Sequence, residues 1–375
     1  MPAAPDKPVP VLLMARELGH GGSERQLTEM AKGLDRARFT PHVGCFVEGT
    51  RTAEMRAAGV PILVLPVRSF RSPGALAGAR QLGQYVRDHG IRIVHTFDWP
   101  LNVFAAPAAR FYRTQVVLTS QRSHREIRTR AVRSLLRITD RLADGVVVNC
   151  EAIRRHLIED EGVPPRKIRL CYNGIDLERF QPSPRRRPSE LAAASVVIGV
   201  VAVLRPEKGL TTLVEAFAKI AASHPDARLL IVGSGPMSEI LNDLAARLGV
   251  SGQCNFQPST ADVTPWLHAI DIFVLPSLSE ALSNSIMEAM SCGCCVVASR
   301  VGGNPELVID GETGLLFEKA NASELAERVQ VLINDAGLRQ RLADKGTRRI
   351  QEKFSLAAAA NSLADIYDEF LRPKR

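Results

Sequence analysis

The stretch "DIFVLPSLSEALSNSIMEAMSCGCCVVASR", Asp271–Arg300, packs a whole folding unit into thirty residues. "DIFVLPS" reads as a strand that stops at Pro276, "IMEAMSCG" as a helix, and "CCVVASR" as a second strand. The strands are continuous apolar runs, which suits burial on both faces of a parallel sheet. A helix between two such strands is a right-handed crossover. The same alternation extends in both directions. Upstream come "VLLMA", "HVGCFV", "ILVLPV", "IRIVHTF", "QVVLTS", "GVVVNC" and "IRLCYNG"; nearer lie "VVIGVVAVL", "ARLLIVGSG" and "CNFQP", with "GLLF" beyond. The pattern predicts an α/β protein with a doubly wound sheet in each half.

At 375 residues the chain is long for one core and comfortable for two domains. The Pro- and Arg-rich "QPSPRRRPSE" can hold neither helix nor strand for long. The expected division is therefore residues 1–180, a linker at 181–190, and residues 191–355. A C-terminal helix at 356–375 has a return to the first domain as one option. Ligands of open α/β sheets bind beyond the carboxyl ends of the strands, so two such domains facing each other would place a site in a cleft between them.

Composition narrows the class: 45% hydrophobic and 23% charged residues describe a globular protein. No apolar run reaches the roughly 18–20 residues of a membrane span. The opening "MPAAPDKPVPVLLMARE" reads as a first strand and not as a signal peptide, which places the chain in the cytoplasm. Residues 1–180 hold 28 Lys+Arg against 18 Asp+Glu, and the remainder 20 against 22, so the halves are suited to different partners. Cys292, Cys294 and Cys295 crowd together, but no second Cys/His pair stands at ligand spacing; a small apolar strand explains them better than a metal.

Candidate chemistry sits at strand ends. In "ELGHGGSERQL", Gly19, Gly21 and Gly22 precede a helix that Ser23 could cap with Gln26. Such a start can bind an anion, although a plain strand-to-helix turn would look the same. In "VLRPEKGLTTLVEAF", Arg205 and Lys208 follow a buried strand, with Thr212 and Glu215 at capping-box spacing. The two cations could grip a diphosphate, or form a solvated pair with Glu207. Gly233 and Gly235 follow another apolar strand and would admit a ligand close to the backbone. Glu280 and Glu288 are eight residues apart. At about 100° per residue they cannot face one another on a helix, and a rise of about 1.5 Å per residue separates them by roughly 10 Å. They would meet two parts of an elongated ligand, with the N–H groups near Ser283, Asn284 and Ser285 between them. Alternatively Glu288 closes a capping box with Ser285.

Glu280 and Glu288 match an E-x7-E pattern, and the chain resembles the retaining glycosyltransferases of the GT-B fold, in particular glycosyltransferase family 4. The resemblance runs through "HGGSER", "IVHTF", "VVVNCEAIRRHL", "CYNGIDLERF", "RPEKG", "IVGSGP", "LPSLSEALSNSIMEAMSCGCCVVAS" and "VGGNPELVIDGETGLLF". It implies two Rossmann-like domains facing across a cleft, the first binding an acceptor and the second a nucleotide-sugar, with a UDP-sugar first in expectation. Glu280 would contact hydroxyls of the transferred sugar and Glu288 the ribose hydroxyls. Arg205 and Lys208 would neutralise the departing diphosphate. Gly21 and Gly22 would approach the diphosphate, Leu282 to Ser285 would complete a phosphate cradle with Gly233 close by, and Phe256 to Pro258 would border the base. The implied reaction is same-face attack by an acceptor hydroxyl, in polysaccharide or glycolipid biosynthesis of a cell envelope. Electrostatic stabilisation of the leaving group would be the main catalytic contribution. No D-x-D motif occurs in the sequence and no cofactor or metal is implied. Two alternatives share the fold: a nucleotide-sugar 2-epimerase, which would need further acid/base groups, and a silent nucleotide-sugar-binding protein.

Three departures bear on the carry-over. Ala281 stands where many relatives have glycine. "TSQRSH" holds Gln121 and Arg122 where some have a histidine, so His95 and Arg122 are the acceptor-side candidates. "FQP" replaces a more usual F-x-G.

From Arg122 to Arg141 the chain carries seven arginines against Glu126 and Asp140. Ile127, Ala131, Leu135 and Ile138 recur at helical spacing. That stripe either packs on the domain core, the plainer reading, or lies on an anionic membrane surface as a peripheral contact. Few aromatic residues, at 5%, and no recognition module speak against nucleic acid.

Overall fold

The computed structural model describes residues 7–19, 21–125, 129–184 and 186–372. Two compact units emerge: Met1–Gly174 with Leu356–Arg375, and Ile175–Ser355. The first holds a seven-stranded parallel sheet of β1 (Val9–Met14), β2 (Phe39–Cys45), β3 (Ile62–Val64), β4 (Ile93–Thr96), β5 (Val116–Gln121), β6 (Gly145–Val148) and β7 (Ile168–Leu170), in the order β3-β2-β1-β4-β5-β6-β7. The second holds six, β8 (Val196–Val201), β9 (Ala227–Val232), β10 (Cys254–Gln257), β11 (Ile272–Leu275), β12 (Cys295–Ser299) and β13 (Leu315–Phe317), in the order β10-β9-β8-β11-β12-β13. Every apolar run read as a strand is one.

The β1 side chains show why those runs are continuous. Val9, Val11 and Leu13 enter one core with Leu27 and Met30 of the helix Gly22–Gly33, while Leu12 and Met14 enter another with Leu82, Leu101 and Ala105. Alternate side chains point to opposite faces, and both faces are covered. In each sheet the chain winds outward and then crosses back, so β1 and β4, and likewise β8 and β11, are neighbours. The loops that leave these paired strands therefore emerge side by side, where open sheets bind ligands.

The division falls at Gly174–Ile175, not at residue 180. Residues 181–190, expected as a linker, belong to the second unit. The Gln181 carbonyl accepts from His268 Nε2 at 2.9 Å, and Arg187 pairs at 2.6 Å with the buried Asp271. The described residues of this segment form no strand and only a short helical turn, Ser189–Leu191, yet they pack closely because Arg187 finds a buried carboxylate. The helix Leu356–Leu371 lies in the first unit, where Arg38 pairs with Asp368 at 2.6 Å and Phe370 fills the space left by Gly145.

Two capping expectations fail. The helix Gly22–Gly33 begins after Gly21 with no side-chain cap, so Ser23 lies inside it. The helix Leu210–Ser223 begins after Gly209, at φ 60°, and Thr212 caps nothing. In the second case the chain needs a left-handed residue at the turn, which glycine supplies.

Burial holds two imidazoles of the first unit neutral. His42 is lowered to about 4 and His95 well below its ordinary value, in each case mainly by desolvation. Protonation below pH 6.5 then favours the unfolded chain, so stability is full above that pH and is lost as pH falls toward the folded values. The slope approaches at most about 1.4 kcal/mol per pH unit for each group. Urea unfolding at pH 7 and pH 5 should show this loss, and His42→Gln should reduce it; an unchanged midpoint would contradict the neutral assignment.

Candidate functional site

The second unit gathers the candidate donor residues at the carboxyl ends of β8, β9 and β11. After β8 the chain passes through exposed Arg205 into a single turn, Pro206–Lys208, and then Gly209. A Cβ at Gly209 would stand 2.3 Å from the Pro276 carbonyl oxygen, and the Leu278 N–H donates to the Glu207 carbonyl at 2.8 Å. The loops following β8 and β11 are thus locked together. The loop after β9 joins them: Leu204 N donates to the Ser234 carbonyl at 3.1 Å, and Met237 N to the Leu204 carbonyl at 3.0 Å. Gly233 and Gly235 have φ of 152° and 159°, and a Cβ on either would strike the Ala202 or Leu204 carbonyl.

This interlock aims Lys208 at Glu280. The ammonium donates to Glu280 Oε2 at 2.6 Å, and Ser277 Oγ donates to the same oxygen at 3.1 Å. Ser277 is itself fixed, since Ser299 Oγ donates to its carbonyl at 2.6 Å. Both bonds fall on Oε2. Oε1 carries neither and can accept hydrogen bonds from a ligand hydroxyl. The loop is supported from behind by Gly302 and Gly303. The Gly303 N–H donates to the Ala281 carbonyl at 2.7 Å, and Gly302, at φ 50°, leaves no room for a side chain beside the Glu280 carbonyl.

The two cations are held in different ways. Arg205 is exposed and only 3.9 Å from Glu207, whereas Lys208 belongs to Glu280. Arg205 is thus held loosely by its neighbour, and Lys208 is held by a group 72 residues away.

The helix Asn284–Ser291 starts at Ser283, whose Oγ accepts from Ile286 N at 3.3 Å and lies 3.1 Å from Ser285 Oγ. Glu288 is therefore in the body of the helix, and the capping-box alternative with Ser285 fails. It is buried, as are Leu282 and Ser283, while Asn284 and Ser285 are half-buried. The first turn leaves N–H groups without intrahelical partners, and the helix dipole favours an anion there. Of the residues expected to border a base, Phe256 and Gln257 lie at the end of β10 and are half-buried, and Pro258 is exposed. Cys292, Cys294 and Cys295 flank and open β12 as buried thiols.

In the first unit Gly21 and Gly22 open their helix as the sequence predicted. A Cβ on Gly21 would meet the Glu24 carboxylate at 2.0 Å. Burial raises the Glu24 carboxyl, and raises Asp98 to about 6. Asp98 caps the helix Trp99–Phe111 through Leu101 N at 3.0 Å and also accepts from Arg16 N at 2.5 Å. This carboxyl pair beside the glycine turn escaped the sequence reading, because its members come from distant segments.

The acceptor-side candidates fare differently. His95 is fully buried, with its ring nitrogens bonded to Tyr367 Oη and Ser120 Oγ, both at 2.9 Å. It fastens the helix Leu356–Leu371 to the sheet and presents no face to an acceptor. Arg122 keeps some exposure, with its guanidinium 4.7 Å over the Phe97 ring and donating to Asn173 Oδ1 at 2.7 Å. Burial lowers it to about 10.

Residues 20–179 match the model for Glycosyltransferase Family 4, and residues 184–349 the model for Glycosyl transferases group 1. The chain is 32% identical over 253 residues to a D-inositol 3-phosphate glycosyltransferase of Streptomyces bingchenggensis, a match spanning 62% of this chain and 54% of that one. It is also 32% identical to the lipopolysaccharide core biosynthesis glycosyltransferase LpsE of Rhizobium meliloti, over 62% and 66% of the two chains. The chain thus spans little more than half the length of the first of these relatives. Among solved structures, Anabaena HepE in complex with UDP and glucose superposes with a TM-score of 0.81 at 24% identity, over 96% of this chain and 99% of that one. A glycosyltransferase from Rickettsia africae gives 0.83 at 21%, over 98% and 100%. The fold is therefore the two-sheet GT-B architecture. With a family model matched in each half, the chain belongs to the group 1 glycosyltransferases of family 4.

Proposed function

We propose that the protein is a retaining glycosyltransferase that moves a sugar from a nucleotide-sugar to a glycan or lipid-linked acceptor in polysaccharide or glycolipid biosynthesis, without a metal. The observation that carries this reading is the Glu280 carboxylate, fastened through Oε2 by Lys208 and Ser277 with Oε1 left for a ligand. Lys208 has three N–H donors, so it can hold Glu280 and a phosphate oxygen together. The exposed Arg205 can swing onto the same diphosphate and bind it through two parallel N–H bonds. The start of the helix Asn284–Ser291 adds dipole stabilisation, and Glu288 would receive the ribose hydroxyls. These groups act on charge that develops as the diphosphate leaves, and a fixed cation there needs no reorganisation. The leaving phosphate oxygen would take the acceptor's proton, so no separate protein base is assigned.

UDP heads the donors to test, because the fold relative HepE was solved with UDP and with UDP-glucose. The two relatives named above are a D-inositol 3-phosphate glycosyltransferase and a lipopolysaccharide core biosynthesis glycosyltransferase, which supports a sugar or lipid-linked acceptor. The experiment is UDP release from a panel of UDP-sugars with EDTA present, followed by NMR of the product anomer. Metal-independent release with the donor's configuration retained is expected. An inverted product would overturn the retaining mechanism, EDTA-sensitive release would overturn metal independence, and UDP binding without release would reduce the chain to a donor-binding protein.

A further inference from the structure

The helix Arg130–Leu142 of the first unit does not pack the stripe that its sequence suggested. Its buried residues are Leu136, Thr139 and Asp140, whereas Leu135 and Ile138 are exposed. Ala131 is exposed as well, and Ile127 lies outside the described residues. A different open surface of the same unit is built from three phenylalanines that the sequence holds far apart. Phe46 follows the end of β2, Phe70 stands in the segment after β3, and Phe104 belongs to the helix Trp99–Phe111, which follows β4. Phe46 and Phe70 lie just beyond strand ends, at the carboxyl edge of the sheet where open α/β folds bind ligands. Phe104, in the second turn of its helix, reaches both.

The three rings pack as a unit. Phe46 meets Phe104 edge-on at 5.2 Å between ring centroids and Phe70 edge-on at 6.2 Å, while Phe70 and Phe104 lie parallel within 9°, 6.2 Å apart. Edge-to-face and offset parallel pairs are the favoured aromatic geometries, so the rings hold one another in place. Backbone bonds fix the segments that carry them. Phe46 N donates to the Arg16 carbonyl at 2.9 Å, which ties the loop after β2 to the loop after β1. Around Phe70, Ser72 Oγ donates to the Ser69 carbonyl at 2.7 Å and Arg71 N to Ser69 Oγ at 3.3 Å. Phe46 and Phe104 are half-buried, but Phe70 stays 44% exposed, a ring backed on its inner side and open to solvent. Arg68 and Arg71 flank it, both exposed, and no carboxylate pairs with either among the described residues. Glu48, in the loop after β2, is already paired with Arg56.

We propose, on the reading above that the acceptor is a glycan, that Phe70 is a stacking platform for one of its pyranose rings, and that Arg68 and Arg71 select a ring bearing a carboxylate or a phosphate. One face of a pyranose is lined with C–H groups, and laying it on a flat aromatic ring removes apolar surface of both from water. A ring already held by Phe46 and Phe104 has little freedom left to lose when the sugar binds. The two unpaired guanidiniums can each take a carboxylate or phosphate through parallel N–H bonds, and a neutral sugar supplies no such partner. The Phe46–Arg16 bond sets the platform beside the loop that leads into the glycine turn at Gly21 and Gly22. The platform uses none of the donor-site residues of the second unit.

The test is a saturation-transfer NMR titration of the full-length protein with trigalacturonate, glucose 6-phosphate and maltotriose, which offer a carboxylate, a phosphate and no charge. Saturation of the ring C–H protons, with at least one acidic saccharide binding more tightly than maltotriose, is expected; the tighter of the two identifies the acidic group. Phe70→Leu keeps an apolar side chain without a flat face and should weaken binding roughly fivefold, whereas Phe70→Trp should preserve it. Arg68→Gln with Arg71→Gln should erase the preference over maltotriose, at roughly threefold for each arginine. Unchanged unfolding midpoints show that the variants are folded. UDP release from a UDP-sugar, measured on the same preparation, reports the donor reaction separately. No saccharide binding would overturn the proposal, and UDP release beside it would leave the transferase reading standing; saccharide binding without UDP release would support the platform and overturn that reading. Equal binding of all three saccharides, binding that ignores Phe70→Leu, or self-association that Phe70→Leu abolishes with no saccharide bound would also overturn the proposal.

Discussion

Glu280→Gln is expected to lower turnover by roughly 10²–10³-fold, the loss typical of removing one preorganised electrostatic group. The substitution preserves shape and keeps an acceptor oxygen, but it removes the charge that holds Lys208 at 2.6 Å. Nucleotide binding should move the other way or stay level, because the freed ammonium can turn wholly to the diphosphate. That divergence separates a catalytic carboxylate from a merely structural one. UDP release and calorimetric titration on the same preparation measure both quantities. Undiminished turnover in the variant would remove Glu280 from the chemistry.

Gly302→Ala should be nearly as damaging for a different reason. Its Cβ would lie 1.7 Å from the Glu280 carbonyl oxygen, at a backbone φ of 50° that side chains rarely adopt. Something must move by more than an ångström, and what moves is the loop that carries Glu280. Displacement on that scale typically costs about 10²-fold in rate, and the strain lowers stability by roughly 1–3 kcal/mol. Gly311→Ala is the control. It shares a positive φ, 74°, but its Cβ would meet nothing within 4 Å, so it should lose a little stability and no turnover. Equal turnover losses in the two variants would mean that the effect is general destabilisation and not displacement of Glu280.

The architecture was legible because parallel strands buried on both faces leave apolar runs, as in the fully buried β8 and β11, although the half-buried β10, Cys254–Gln257, is not such a run. Signals that depend on contacts between distant segments were not. Lys208 and Glu280 are 72 residues apart and only the fold brings them together; Ser277 and Gly302 acquire meaning only beside Glu280. Helix starts were misplaced at Ser23 and Thr212 because side-chain spacing competes with backbone geometry, and glycine took the cap both times. His95 stood at a strand end, where chemistry is common, yet Tyr367 from the far end of the chain covers it. The helix Arg130–Leu142 was the reverse case. Its periodicity was correct, but the side chains forming the buried face were not the stripe the sequence favoured.

The most direct single measurement is a calorimetric titration of UDP, with GDP and ADP beside it, into metal-free protein and into the double variant Arg205→Ala, Lys208→Ala. The expected result is saturable binding of one nucleotide, weakened at least roughly tenfold for each cation removed, as for charge-assisted bonds to phosphate. Binding that ignores the double variant, or no binding by any of the three, would contradict a donor site at the ends of β8 and β11.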